Sequence, residues 1–200
     1  KPGQQHMKKC IIELGCKNAI IIDNDADLDE AVDAVLYSAF GFAGQKCSAA
    51  SRLIVLEDVY EKFTERLVEA ARSLKITSSE NPAAYLGPVV DEDAYTRLMN
   101  TIASAETQHK ILYKASAPLN SLDGYYVPLT IIGDVKAQDA MAQNEFFGPL
   151  LALIKATDLN HAIEIANSTE YALTGGLFSR SPANIEKVKN ELEVGNMYIN

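Results

Sequence analysis

The segment whose residue types most clearly suggest a chemical reaction covers residues 41–52. It carries a thiol, Cys47, between a predicted helix and a predicted strand. Glycines at positions 41 and 44 permit backbone conformations that other residues resist, and loops between rigid elements often carry reactive side chains. Lys46 precedes the thiol, and a neighbouring cation favours the thiolate, which is the nucleophilic form of cysteine. Because free cysteine is also a common small core residue, the spacing alone leaves both interpretations open.

Two further stretches place a carboxylate close to glycine. Glu13 lies two residues before Gly15, and Glu145 begins a Glu-Phe-Phe-Gly-Pro sequence. Taken singly, the first is explained as a solvated strand end and the second as a turn anchored by two aromatic rings. The three histidines are far apart and show no metal-ligand spacing with the cysteines, so the sequence predicts no metal site.

The composition restricts the classes of function. The chain has 200 residues, a formal net charge of −9 and 48% hydrophobic residues, which is typical of one globular domain. The acidic balance argues against nucleic-acid binding, which needs clustered Lys and Arg. No apolar run in the sequence reaches the length of a membrane span, so no membrane partner is expected. The odd count of three cysteines favours a reducing, cytoplasmic setting over a disulfide framework.

Predicted strands and helices alternate over most of the chain. Residues 18–23 form a β-branched run typical of a strand buried on both faces, and Asp27 is placed as the N-cap of a helix over Leu28–Phe40. Residues 52–56 and 125–132 also have the composition of strands. This alternation predicts an α/β fold, a three-layer α/β/α sandwich with a largely parallel sheet, in a single domain over residues 1–200.

Three motifs, in this order, make the sequence resemble the aldehyde dehydrogenase superfamily. The family's Glu-Leu-Gly-Gly-Lys motif is present at 13–17 with Cys16 in place of the second glycine, its Gly-Gln-x-Cys motif at 44–47, and its Glu-x-Phe-Gly-Pro motif at 145–149. The resemblance covers almost the whole chain and implies the fold of that family's catalytic domain. The sequence around the thiol is most similar to 1-pyrroline-5-carboxylate dehydrogenases, which oxidise glutamate γ-semialdehyde to glutamate in proline catabolism.

For catalysis, the resemblance implies a covalent route through Cys47. Its thiolate is expected to attack the aldehyde carbon, hydride then leaves to NAD, and the remaining thioester is hydrolysed by a water that Glu13 activates. The backbone N–H of Cys47 is expected to donate to the oxyanion, together with an asparagine of the cofactor domain. Ser48 is expected to hold the carboxylate of a small aldehyde substrate, its alternative being an ordinary loop serine.

For the cofactor, the resemblance implies NAD. Glu145 is expected to hold the hydroxyls of the nicotinamide ribose, with Phe147 against the nicotinamide region and Gly15 in the same cofactor site. Cys16 adds a side chain where the family uses glycine for close backbone approach, and we expect it to crowd this side of the site.

The resemblance also implies that the sequence is one segment of a longer, homo-oligomeric enzyme. Residues 1–14 are expected to be the tail of the cofactor-binding domain, and the 200 residues alone are expected not to oxidise aldehydes at a useful rate. Two alternatives remain open on the residues alone. One is a dehydrogenase for a different aldehyde, and the other is a non-catalytic relative with a structural or oligomerisation role.

Overall fold

The computed structural model describes residues 3, 6–116 and 123–200 of the chain. Seven strands form one sheet, namely β1 (Asn18–Ile22), β2 (Ala50–Leu56), β3 (Lys110–Lys114), β4 (Thr130–Gly133), β5 (Leu150–Ala156), β6 (Thr174–Phe178) and β7 (Asn196–Ile199). Their order across the sheet is β3-β4-β5-β2-β1-β6-β7. Neighbouring strands are parallel except for β3 and β4, which form an antiparallel pair at one edge.

The helices of the described residues are α1 (Leu28–Phe40), α2 (Glu57–Arg72), α3 (Glu92–Gln108), α4 (Ala140–Gln143), α5 (Leu159–Asn167) and α6 (Pro182–Glu191). The chain crosses the sheet in one direction from β1 to β2 and in the opposite direction from β5 to β6 and from β6 to β7. Because such crossovers are right-handed in nearly all proteins, α1 lies on one face and α5 and α6 lie on the other. The predicted α/β fold with a largely parallel sheet is confirmed.

Local sequence sets the helix boundaries. The side chain of Asp27 accepts hydrogen bonds from the backbone N–H groups of Asp29 and Glu30, which caps α1 at the predicted residue. Ser181 caps α6 in the same manner, and Pro182 occupies the first turn, where its missing N–H costs nothing. The predicted helix over Leu28–Phe40 therefore begins and ends where the sequence placed it.

The central strands form the core. All five residues of β1 are buried, as are the last five of β2. The predicted apolar stripe of α1 covers this core, since Ala31, Val35, Leu36 and Ala39 are each at most 5% exposed. A continuous apolar run is what a strand needs when helices cover both faces of the sheet.

One strand prediction is partly wrong. The strand predicted over residues 125–132 begins only at Thr130, because β4 covers Thr130–Gly133. Pro128 explains part of the difference, since it has no backbone N–H to give to a ladder and is confined to strand edges and starts. Composition alone did not reveal where pairing with β5 begins, at Thr130 opposite Leu150.

A buried cation ties α5 to the sheet. Arg52 is 2% exposed, and its guanidinium donates hydrogen bonds to the carbonyl oxygens of Lys17 at 2.9 Å, Ile165 at 2.8 Å and Ala166 at 2.8 Å. The last two carbonyls belong to the final turn of α5, where the partial negative charge of a helix is concentrated. Burial lowers the pKa of Arg52 to about 10, which leaves the guanidinium charged at neutral pH.

We therefore expect Arg52→Lys to lower the free energy of unfolding by about 3 kcal/mol, because an ammonium cannot reproduce the planar set of donors and leaves buried carbonyls unpaired. Chemical unfolding of the full-length protein, followed by circular dichroism, measures the change. Arg72→Lys is the matched control, since the Arg72 side chain is 58% exposed. Equal effects of the two substitutions would contradict the assignment.

Candidate active site

The segments that carry the candidate site residues lie at one edge of the sheet, where its parallel strands begin. Residues 15–17 precede β1, residues 47–49 precede β2, and residues 145–149 precede β5. β1 pairs with β2, and β2 pairs with β5. Because parallel neighbours begin at the same edge, the three segments that carry the sequence motifs come together there.

Asn18 fixes the thiol loop to the sheet. Its Nδ2 donates to the carbonyl oxygens of Cys47 and Ala49, both at 2.9 Å, and its Oδ1 accepts from the backbone N–H of Thr174 at 3.0 Å. The residue is 4% exposed, so these bonds are shielded from water. Both amide protons and the amide oxygen are paired, which sets the position of the backbone that carries Cys47.

The connection before Cys47 is a left-handed turn. Phe42, Ala43 and Gly44 have φ values of 57°, 55° and 69°. Gly41 has a φ of −55°, which residues other than glycine also adopt. A side chain rarely adopts such angles, so the surrounding structure must hold the turn. A Cβ at Gly44 would lie 2.2 Å from the carbonyl oxygen of Gly148, so only glycine permits this contact between the thiol loop and the segment before β5.

The carboxylate of Glu145 is held by Cys16. The backbone N–H of Cys16 donates to Oε1 at 3.1 Å, and its thiol donates to the same oxygen at 3.4 Å. Gly15 lies against the other oxygen, because a Cβ there would come within 2.8 Å of Oε2. Burial is the main reason that the pKa of the Cys16 thiol is raised to about 12, and the negative charge of Glu145 is the second. The thiol therefore remains a hydrogen-bond donor at neutral pH.

Lys17 brings a second buried cation to this edge. It is 2% exposed, and its Nζ lies 4.8 Å from the centre of the Phe146 ring, within the range of a cation–π contact. Burial is the main reason that the pKa of Lys17 is lowered to about 7, and the positive charge of Arg52 is the second. The negative charge of Glu145 raises this pKa and so opposes both effects. An ionisable ammonium thus lies near Glu145 and changes charge close to neutral pH.

Two cavities are lined in part by residues of the thiol loop. One of about 330 Å³ is lined by Ser48, Lys46 and residues of α1, β1 and β6. The other, of about 20 Å³, is lined by Cys16, Glu145, Phe147 and again Lys46. A larger cavity of about 730 Å³ runs along α3 and contains none of the predicted site residues. The loop therefore contributes to a space beside Ser48 and to a space beside the Glu145 carboxylate.

The predicted thiol and its neighbours are accessible. Cys47 and Ser48 are both exposed. Lys46, expected to favour the thiolate, holds its ammonium 5.2 Å from the ring centre of Tyr37 and 5.0 Å from that of Phe42. Two aromatic rings thus fix the lysine beside the loop, and the thiol is open to a reactant.

The predicted cofactor residues and the predicted base differ in their surroundings. Phe147 is 41% exposed with a φ of 53°, and Gly15 is exposed beside the Glu145 carboxylate. Glu13 is also exposed, in the segment 6–15, where no residue belongs to a helix or strand. Within the described ranges, Glu13 has no hydrogen-bond partner. Of the predicted tail, residues 1, 2, 4 and 5 lie outside the described residues.

Three residues of the site were missed by sequence reasoning. Lys17, Asn18 and Arg52 are polar, yet each is at most 4% exposed. All three stand at or near the start of a strongly apolar run, where a polar side chain adds no apolar contact to the core. Their position next to an apolar run could have identified them, because a polar side chain that is buried with such a run needs hydrogen-bond partners.

Comparisons with known proteins agree with the motifs. The family model described as "Aldehyde dehydrogenase family" matches residues 1–200. The chain is 42% identical over 200 residues to 1-pyrroline-5-carboxylate dehydrogenase 1 of Halalkalibacterium halodurans, an alignment that covers 100% of this chain and 38% of that relative. The chain therefore spans less than half the length of this curated relative.

Two solved structures are similar over the whole chain. Proline utilization A from Bdellovibrio bacteriovorus, inactivated by N-propargylglycine, matches with a TM-score of 0.92 and 64% identity, covering 100% of this chain and 20% of that one. A 1-pyrroline-5-carboxylate dehydrogenase from Thermus with bound NAD matches with a TM-score of 0.87 and 37% identity, covering 99% of this chain and 38% of that one.

From the bonds of Asn18 we expect Asn18→Asp to lower the free energy of unfolding by about 2 to 4 kcal/mol, because a carboxylate would face two buried carbonyl oxygens with no proton to give. The loosened loop should also change the alkylation rate of Cys47, which iodoacetamide labelling of the full-length protein measures. Asn100→Asp is the control, since Asn100 is exposed on α3. Unchanged stability and labelling in Asn18→Asp would contradict the role given to this amide.

The lowered pKa of Lys17 makes a prediction about pH. The ordinary pKa is 10.5 and the folded value is about 7, so between these values the unfolded chain binds more protons than the folded chain. Stability from this group therefore rises with pH in that window and is lost as pH falls through the folded pKa.

We expect this rise to disappear in Lys17→Met, which keeps the volume and removes the charge. Relative to the variant, the wild type should gain roughly 1 to 2 kcal/mol between about pH 6.5 and pH 8.5. Unfolding of the full-length protein at both pH values gives the comparison, with the exposed Lys110→Met as control. Parallel pH profiles for wild type and Lys17→Met would show that Lys17 does not titrate in this window.

Proposed function

The chain belongs to the aldehyde dehydrogenase family, and we propose that it carries the nucleophile-bearing part of an NAD-dependent dehydrogenase that oxidises glutamate γ-semialdehyde to glutamate in proline catabolism. The observation that carries the proposal is the exposed Cys47, whose backbone carbonyl oxygen is held by Asn18 at the same sheet edge as Glu145. The substrate is supported by the curated relative, which is 42% identical and is a 1-pyrroline-5-carboxylate dehydrogenase.

Cys47 is the proposed nucleophile. Its thiolate forms a bond to the aldehyde carbon, which gives a thiohemiacetal, and loss of hydride from that carbon leaves a thioester on Cys47. The charge that develops on the former aldehyde oxygen needs a donor, and the backbone N–H of Cys47 donates to no other group in the described ranges. Asn18 holds the carbonyl oxygen of the same residue, so the peptide unit that follows this N–H is fixed to the sheet.

The residues before β5 fit a dinucleotide. Oε1 of Glu145 is taken by Cys16, whereas Oε2 accepts no hydrogen bond from the described residues and can accept from ribose hydroxyls. Phe147 offers a partly exposed ring beside it, and Gly15 leaves open the space that a Cβ would fill next to Oε2. NAD, when bound, supplies the hydride acceptor. These three residues would hold its nicotinamide end.

Ser48 supports the choice of a carboxylated aldehyde. It lines the cavity of about 330 Å³, and Lys46 is the only Lys, Arg, Asp or Glu among the described lining residues of that cavity. A hydroxyl and an ammonium on one wall suit the carboxylate of glutamate γ-semialdehyde. We assign Ser48 to that carboxylate.

Glu13 is the proposed base for thioester hydrolysis in the full-length protein. The segment around it leaves several apolar side chains exposed, which are Met7, Ile11, Ile12 and Leu14. Exposed apolar side chains in a row are typical of a surface that another part of a protein covers, which supports residues 1–14 as the tail of a cofactor-binding domain. That cover would bring Glu13 to its working position.

The wider setting is proposed on composition and on the family. Among the helices of the described ranges, none is long and apolar enough to cross a membrane. Three cysteines without a disulfide and a formal charge of −9 support a cytoplasmic enzyme that does not bind nucleic acid. We propose that the full-length protein is a homo-oligomer.

The proposal is tested by NAD reduction in the full-length protein. The wild type should turn over 1-pyrroline-5-carboxylate faster than an uncarboxylated aldehyde of the same length, because only the former has a group for Ser48. Cys47→Ala should lose at least about a thousandfold in kcat, since no other group replaces the nucleophile. NADH absorbance measures both effects.

Cys10→Ala is the matched control, because Cys10 is also an exposed free thiol and should be dispensable. Retention of activity in Cys47→Ala would refute the mechanism. A preference for the uncarboxylated aldehyde would instead indicate a dehydrogenase of another specificity, and no turnover of any aldehyde would indicate a non-catalytic relative.

A further inference from the structure

We propose that Cys16 is a positioning residue for the cofactor site, which holds Oε1 of Glu145 through its backbone N–H and its thiol so that Oε2 is left to the dinucleotide. The proposal rests on the proposed function, in which Glu145 receives the ribose hydroxyls. It reverses the expectation from sequence that the Cys16 side chain crowds this part of the site.

The contacts support positioning over crowding. Both donors of Cys16 reach the same carboxylate oxygen, at 3.1 Å from the backbone nitrogen and 3.4 Å from the sulfur. The residue is only 5% exposed, so its side chain takes up little of the solvent-accessible space beside the carboxylate. Two donors on one oxygen restrict rotation of the carboxylate more than a single backbone donor would.

The surroundings keep this contact intact under working conditions. Burial and the nearby Glu145 charge raise the pKa of the thiol to about 12, so the sulfur keeps its proton over the neutral range. Gly15 prevents a clash on the other side, where any Cβ would meet Oε2 at 2.8 Å. Glu145 is thus held on one oxygen and unobstructed on the other.

A side chain that is already oriented binds more tightly, because less conformational freedom is lost when the ligand arrives. Glycine at this position would keep the backbone donor and lose the thiol. The added thiol should therefore increase affinity for NAD and leave the chemical step at Cys47 unchanged. A merely structural role for Cys16 predicts a change in stability without this selective change in affinity.

The test is the dissociation constant of NAD for the full-length protein, measured by equilibrium titration without substrate. Cys16→Ala should raise it about 3- to 10-fold, and Cys16→Ser, which keeps a donor, should stay within about twofold of the wild type. KM for NAD should rise in Cys16→Ala while kcat is retained. Cys10→Ala, which removes an exposed thiol that takes no part in these contacts, should change neither value.

A double-mutant cycle with Glu145→Gln isolates the contact. If Cys16 acts through Glu145, Cys16→Ala should have little further effect on NAD affinity once Glu145 is Gln. Should Cys16→Ala fail to fold, Cys16→Gly takes its place, since it also lacks the thiol and is the residue of the family motif. The same rise is expected from it.

The outcomes separate the two proposals. Unchanged or tighter NAD binding in Cys16→Ala or Cys16→Gly, with Glu145→Gln still impaired, would overturn the role of Cys16 and restore the crowding interpretation. Unimpaired binding in Glu145→Gln, or no binding of NAD to the wild type, would instead overturn the proposed cofactor role of Glu145.

Discussion

The side-chain amide of Asn18 joins the beginnings of three strands, and the rest of the site depends on it. Standing at the first position of β1, it binds the backbone before β2 through Cys47 and Ala49 and the first residue of β6 through Thr174. The loop that carries Cys47 contains left-handed residues, which keep that conformation only where surrounding contacts hold the backbone. One buried, fully paired amide supplies that constraint where no regular ladder reaches.

Two buried basic residues, Lys17 and Arg52, lie near Asn18 in the structure. Arg52 and Lys17 are both buried, and the positive charge of the first is one reason for the lowered pKa of the second. Arg52 is compensated by carbonyls of α5, which leaves Lys17 with an aromatic ring and the more distant Glu145. Burying two cations side by side costs free energy, so their placement here is explained by the carboxylate and the helix end they face.

Sequence alone was enough for the elements whose ends carry local signals. Asp27 and the run after it placed α1 correctly, and the β-branched run placed β1. It was wrong at residues 125–129, which have the composition of a strand but precede the start of β4 at Thr130. The motifs singled out Cys47 and Glu145, but the Asn18, Lys17 and Arg52 contacts depend on partners distant in sequence, from 29 residues for Asn18–Cys47 to 156 for Asn18–Thr174. No local pattern encodes such contacts.

The edge of the sheet that carries the site explains these buried cations. Open α/β sheets usually bind ligands at the carboxyl ends of their strands, where the positive N-termini of helices also lie. The thiol loop and Glu145 instead precede β2 and β5, so they lie at the amino ends, where α1 and α5 end with their partial negative charge. A carboxylate such as that of Glu145 is unfavourable there unless positive charge is supplied. Lys17, near Glu145, supplies it when protonated, while Arg52 offsets the negative end of α5.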